Sequence, residues 1–269
     1  MTTRAISLVF LCAAIAAAQE KVSVPLSDPS RPATLKARLI SGSITVTAGT
    51  GPEVVVESES SSRRGRDFGP NNPPPGMHRI DIGGRGLNIE EDHNVVTISA
   101  SPAGMNQNVV IQVPMNTSLD LRTVNGRIDV TGVNGDLDVG STNSSIDLKD
   151  VSGAVSASTV NGTVVVNMTR VTPDKPMSFS TLNGRIDVTI PADTKARLRL
   201  KTTNGAIYSD FDVKMEPDNS KPIVEDARGQ GGKYRIRMDR SNGAYGSING
   251  GGPEYSFQTM NGTILIHKK

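Results

Sequence analysis

Four asparagines and a serine stand nine residues apart: Asn125, Asn134, Asn143, Ser152 and Asn161. Each is followed by a small residue, Gly126, Gly135, Ser144, Gly153 or Gly162, and then by an alternating segment: RIDV, DLDV, SIDL, AVSA, TVVV. Looser copies occur at Asn183-Gly184, Asn204-Gly205 and Asn261-Gly262, and an early relative, ISGSITV, spans Ile40 to Val46. Repeats at a fixed period are the signature of stacked architectures, in which no unit can bury its own apolar face.

The alternation has period two, so Ile128 and Val130 face one way and Arg127 and Asp129 the other. A second period of eighteen lies over the first. Leu119-Asp120-Leu121 recurs as Leu137-Asp138-Val139, and Ile128-Asp129-Val130 as Ile146-Asp147-Leu148. Two units then make one turn of about 18 residues, with one strand on each of two parallel sheets and Ile128 stacked on Ile146 at about 4.8 Å.

The expected fold is an all-β, right-handed parallel β-solenoid (β-helix or β-roll) of about 18–22 residues per turn from Leu35 to Ile266. Ile128, Val130, Leu137, Val139, Ile146, Leu148, Val155, Val164, Val166, Ile186 and Val188 should be buried, with Asp129, Asp138 and Asp147 exposed. Stacked Asn side chains can form amide ladders. Asn-Gly tolerates positive φ, which suits a sharp corner. The same dipeptide is a strong hairpin signal, so an antiparallel β-sandwich is the alternative. The nine-residue spacing holds over five units without slippage, which favours the solenoid.

The serial T-[VLM]-N-G-x-[IV]-x-[VIL] pattern behind an apolar N-terminal segment resembles bacterial candidate-adhesin families of unknown function, which are exported β-solenoid domains. The resemblance runs from about Leu35 to the C-terminus and is strongest from Leu119 to Ile190. It implies an exported, adhesin-like domain.

The N-terminus points to export independently. Met1 to Arg4 is short and positive, Ala5 to Ala18 is mostly apolar, and Ala16-Ala17-Ala18 forms a small-residue cleavage signal. This predicts a signal peptide over 1–18. The apolar run is shorter than the roughly 20 residues that span a bilayer, and no other long one exists, so no transmembrane segment is expected after cleavage. A leader over 19–34 and one domain over 35–269 follow, with loop insertions at 58–78 and 214–233.

Cys12, the one cysteine, leaves with the signal peptide, and Leu11 occupies the place where lipidation wants a small residue. A mature chain without disulfides suits a bacterial periplasm, outer cell surface or secreted fraction. Without Arg4, 28 basic residues face 27 acidic ones. That balance gives no bulk charge to draw nucleic acid or an anionic membrane.

The residue inventory contains little chemistry. His78, His93 and His267 lack ligand-like spacing, and neither H-E-x-x-H nor G-x-S-x-G occurs. The segment GGRGLNIEE, Gly83 to Glu91, approaches a calcium-binding nonapeptide, but Asn88 replaces the Asp and the copy is single. No catalytic residue, metal or cofactor is expected. Asp129 and Asp147 should stack on one sheet face and Asp120 and Asp138 on the other, with Arg127, Arg122 and Lys149 near enough to neutralise them.

The expected function is a non-catalytic scaffold. The binding surface is expected to comprise Arg63, Arg64 and Arg66 with Asp129 and Asp147, and the expected partner is an extracellular polysaccharide or another envelope protein. The alternative is a polysaccharide-cleaving enzyme using one of the two Asp pairs.

Overall fold

The computed structural model describes residues 20–60, 87–100, 107–216, 223–226, 234–237 and 243–269. The chain begins with β1 (Glu20–Val24), β2 (Ala33–Ser41), β3 (Ile44–Gly49), β4 (Val54–Ser60), β5 (Leu87–Asp92), β6 (Val95–Ala100) and β7 (Gln107–Pro114). The regular middle is β8 (Thr117–Asn125), β9 (Ile128–Thr131), β10 (Leu137–Ser141), β11 (Ile146–Gly153), β12 (Val155–Asn161), β13 (Val164–Val171), β14 (Met177–Asn183) and β15 (Ile186–Ile190). Last come β16 (Ala196–Asn204), β17 (Ile207–Ser209), β18 (Lys214–Glu216), β19 (Ile223–Asp226), β20 (Tyr234–Arg237), β21 (Gly243–Ile248), β22 (Glu254–Asn261) and β23 (Ile264–Lys268). No helix occurs among the described residues.

The fold is all-β and solenoid-like, with two mixed sheets. In the middle, every second strand pairs in parallel, so that successive strands fall on opposite sheets. Leu119, Leu137 and Val155 are register partners on one sheet, and Ile128, Ile146 and Val164 on the other. The offset of 18 lengthens to 22 at the next layer, where Val164 meets Ile186. The eleven aliphatics expected inside are all at most 2% exposed. At that burial, each contributes on the order of 1.5–3 kcal/mol relative to exposure.

Two features depart from a uniformly parallel stack. Antiparallel strands close both ends: β1, β4 and β7 on one sheet, β5 on β6, and β16, β21 and β18 on the other. Layers are also out of chain order. The layer β2/β3 lies between β6/β7 and β8/β9, and the C-terminal layer β22/β23 lies between β14/β15 and β16/β17. There Phe257 pairs with Phe179 and Leu200, and its ring stacks on Phe179 with centroids 5.0 Å apart.

The corners are built by close backbone approach. A Cβ on Gly126 would lie 1.8 Å from the carbonyl oxygen of Gly42, and one on Gly162 would lie 2.3 Å from that of Ser144. Neither of these two glycines has positive φ, in contrast to the expected reason for Asn-Gly, although Gly153, Gly184 and Gly42 at other corners of the repeat do. The space between layers, at strand spacing, is what excludes a side chain there.

Of the expected insertions, Ser58 to Ser60 belong to β4, and 61–78 lies outside the described residues. The stretch 214–233 contains the strands β18 and β19.

Candidate binding surface

Asn side chains form a continuous ladder along one corner. Asn143 Nδ2 donates to Asn125 Oδ1 at 2.8 Å, Asn161 to Asn143 at 3.1 Å, and Asn183 to Asn161 at 2.8 Å. Asn261 then donates to Asn183, and Asn204 to Asn261, each at 2.7 Å. At the opposite corner Asn134 donates to Asn116 at 2.9 Å. The threonine of the T-x-N-G motif has its own role. Thr159, Thr181 and Thr259 are buried and donate to corner carbonyls of the neighbouring layer, those of Ser144, Gly162 and Gly184. The three threonine hydroxyls are thereby satisfied, that of Thr123 in the first copy has no partner among the described residues, and the exposed Asn ladder joins the layers in register.

The sheet faces carry the expected stacked aspartates. Asp129 and Asp147 are register partners. Arg127 spans them, with Nε 2.8 Å from Asp129 and one terminal nitrogen 2.9 Å from Asp147. Lys149 reaches Asp147 from the other side at 3.3 Å. The guanidinium is held above its ordinary value, first by the hydrogen bond to Asp129 and then by that carboxylate's charge. The Asp147 side chain is only 13% exposed and that of Asp129 31%. Both are thus less exposed than their outward slots suggested, because long basic side chains lie across them.

Asp120 and Asp138 are partners on the other sheet. Arg122 pairs with Asp138 and lies 3.8 Å from Asp120, which Arg38 also reaches at 3.3 Å. Asp138 is exposed, as expected. Each proposed acid pair is thus a column of like charges with cations between its members. Among the described residues, no group of three or more His, Cys, Asp and Glu is placed to hold a metal ion.

Arg63, Arg64 and Arg66 lie outside the described residues, as does His78. His93 sits in the β5–β6 turn beside Asp92. His267 Nδ1 lies 3.0 Å from Asp210 and its Nε2 3.6 Å from Asp187. Of the calcium-like segment, Leu87 to Glu91 is strand β5, and Asn88 hydrogen-bonds Glu90 at 2.8 Å.

Two concavities escaped the sequence reading. A shallow trough of about 470 Å³ crosses one sheet face over Asp136, Asp138, Ser156, Ser178 and Ser256. A cleft of about 420 Å³ opens between corner loops ending at Pro173-Asp174, Thr194-Lys195 and Gly252-Pro253. The third loop reaches the other two only because the C-terminal layer is interleaved, which residue spacing does not reveal.

A family model, Toastrack DUF4097, matches residues 17–249. The chain belongs to the Toastrack DUF4097 family. The match ends before β22, so the interleaved C-terminal layer of this Toastrack chain lies beyond it. The chain is similar to two solved structures. One is a candidate cell adhesion protein from Clostridium sporogenes, with 12% identity, coverage of 94% of this chain and 100% of that one, and a TM-score of 0.48. The other is a candidate adhesin from Bacteroides fragilis, with 10% identity, coverage of 94% and 98%, and a TM-score of 0.28. No curated protein matches the chain.

Proposed function

We propose that this Toastrack chain is a non-catalytic, exported, adhesin-like scaffold. It is one right-handed solenoid over 35–269, delivered by a signal peptide over 1–18 to the periplasm, the outer cell surface or the medium. The observation that carries this reading is the pairing of Arg127 with both Asp129 and Asp147. Hydrolysis by two carboxyls needs them in different environments, one as acid and one as base or nucleophile. Here both share one cation on a regular, repeated face.

Such a face offers rows of charged and polar groups at strand spacing, which suits an extended partner. Asp129 and Asp147 with their cations form one contact surface, and Arg63, Arg64 and Arg66 supply further positive charge. The partner class is extracellular polysaccharide or the strand of another envelope protein.

The test is a binding and turnover screen on a polysaccharide panel, with and without calcium. The scaffold reading expects binding without turnover. Turnover abolished by Asp129→Asn plus Asp147→Asn would overturn it in favour of a β-helix glycan-cleaving enzyme. Localisation of the processed chain in the cytoplasm would overturn the export reading.

A further inference from the structure

We propose that the cleft between the three corner loops is a binding site for one neutral sugar residue of a glycan. The assignment rests on the reading of the chain as a non-catalytic scaffold and adds a defined site to it, separate from the Asp129 face.

The first observation is an orphan. Thr194 lines the cleft and is 3% exposed, and its buried hydroxyl has no hydrogen-bond partner. Buried polar groups are nearly always satisfied, so each exception asks for a partner. The motif threonines Thr159 and Thr181 donate to carbonyls, whereas the hydroxyl of Thr123 shares the unpartnered state of Thr194. Thr194 differs from Thr123 in lying among charged side chains at the cleft that are unpaired among the described residues.

The second observation is the charge around the cleft. Arg170, Asp174, Asp193 and Lys195 all line it, and none makes an ion pair among the described residues. Elsewhere on this surface aspartates and basic residues pair closely, as Arg127 does. Two cations and two carboxylates cancel formally, so the site does not select for a charged ligand. They do offer donors and acceptors around one cleft. A sugar's hydroxyls each donate and accept, so they can bond to either kind of group. Tyr255 also lines the cleft, and burial pushes its phenol up, keeping it a protonated donor.

The third observation is rigidity. Each loop contributes a proline to the lining: Pro173, Pro191 and Pro253. Asn249 ties two loops together by donating to the carbonyls of Ala192 at 2.9 Å and Thr194 at 2.7 Å. A Cβ on Gly252 would lie 2.5 Å from the Lys195 carbonyl oxygen, so these backbones are in contact. The proline rings give apolar walls for the C–H face of a sugar, and a preformed site loses less entropy on binding. The cleft's volume falls within the roughly 300–1,000 Å³ of small-ligand sites.

The experiment uses the full chain and a probe set of methyl glycosides of glucose, galactose, mannose and N-acetylglucosamine with their short oligomers. Ligand-observed NMR detects binding and titration gives affinity; inorganic phosphate serves as a separate probe. We expect at least one saccharide to bind, with affinity about tenfold weaker in Thr194→Val and in Asp193→Asn. The melting temperature should stay level or rise in Thr194→Val, since an unpaired buried hydroxyl is removed. If Thr194→Val fails to fold, Asp193→Asn at the exposed rim decides alone. Saccharide binding unchanged in both variants overturns the site and leaves the scaffold reading standing. Binding of phosphate alone, or of no probe, overturns the ligand class. Cleavage of an oligomer overturns the scaffold reading itself.

Discussion

Asn204 donates its side-chain amide to Asn261 at 2.7 Å across 57 residues of sequence, and Asn261 donates to Asn183. The last copy of the motif therefore sits between two earlier ones. The C-terminal segment is an internal layer of the stack, with Tyr255, Phe257, Ile264 and Ile266 at most 1% exposed. An end layer would cover one neighbour, but this one covers two on each sheet.

Truncation after Pro253 should therefore separate β14/β15 from β16/β17 and destroy the cooperative unfolding transition, where loss of a true end layer would leave it intact. The milder variant Phe257→Ala should cost about 3–5 kcal/mol, as for other large-to-small core changes. Urea denaturation measures both. A truncated chain with a wild-type midpoint sinks the interleaved order.

The corner glycines give a second prediction. Gly162→Ala would place a Cβ 2.3 Å from the Ser144 carbonyl oxygen, which belongs to a backbone fixed by the next layer. The layers must separate locally, at about 1–3 kcal/mol or more. Gly51→Ala meets nothing within 4 Å and should leave stability level or slightly improved. Thermal melts of the two variants separate crowding from a general intolerance of the glycines to substitution.

Much of this fold could be read from the repeat. A spacing of eighteen stacks Ile128 on Ile146 and Val164 because strand pairing fixes register and period two fixes the face. Layer order could not be read the same way. The copies at Asn183, Asn204 and Asn261 are chemically interchangeable, so either downstream copy could follow Asn183 in the ladder. The reason for glycine was also hidden, since a need for positive φ and a need for close approach select the same residue. Asp129 and Asp147 were legible as a stacked pair, but their cover was not, because it depends on where the Arg127 side chain lies. Nothing in the local sequence marks Thr194, whose surroundings come from three loops far apart in the chain.

Arg127 supplies a third prediction. Removing it leaves Asp129 and Asp147 adjacent in register, with Lys149 near only the second. Like charges directly opposite destabilise a sheet. Arg127→Ala should therefore lower stability by about 1 kcal/mol, a modest figure because the Arg127 and Asp129 side chains are partly exposed and screened. Adding Asp147→Asn should recover most of the loss at low salt. A double mutant no more stable than Arg127→Ala would mean the lost contribution was packing of the arginine stem and not charge.

Acid should loosen the N-terminal edge. Glu91 accepts from the Ser27 backbone and hydroxyl and from the Asn94 backbone, and these bonds, the Ser27 backbone first, hold its carboxyl below the ordinary 4.5. Asp28 is held below its ordinary 3.8, first by the Ser30 hydroxyl and then by Arg31. A carboxyl whose folded pKa is depressed stabilises the fold above its unfolded pKa, and that contribution is lost as pH falls through the folded pKa. Docking of Ser27 to Arg31 against the β5–β6 hairpin should therefore hold at neutral pH and weaken from about pH 4 downward. The amide resonances of Ser27, Ser30 and Asn94 should titrate with midpoints below the ordinary carboxyl values. Glu91→Gln should flatten the response at Ser27 and Asn94 while leaving that of Ser30, which reports Asp28. Midpoints at or above 4.5 for Glu91 and 3.8 for Asp28 would show that these hydrogen bonds do not persist in solution.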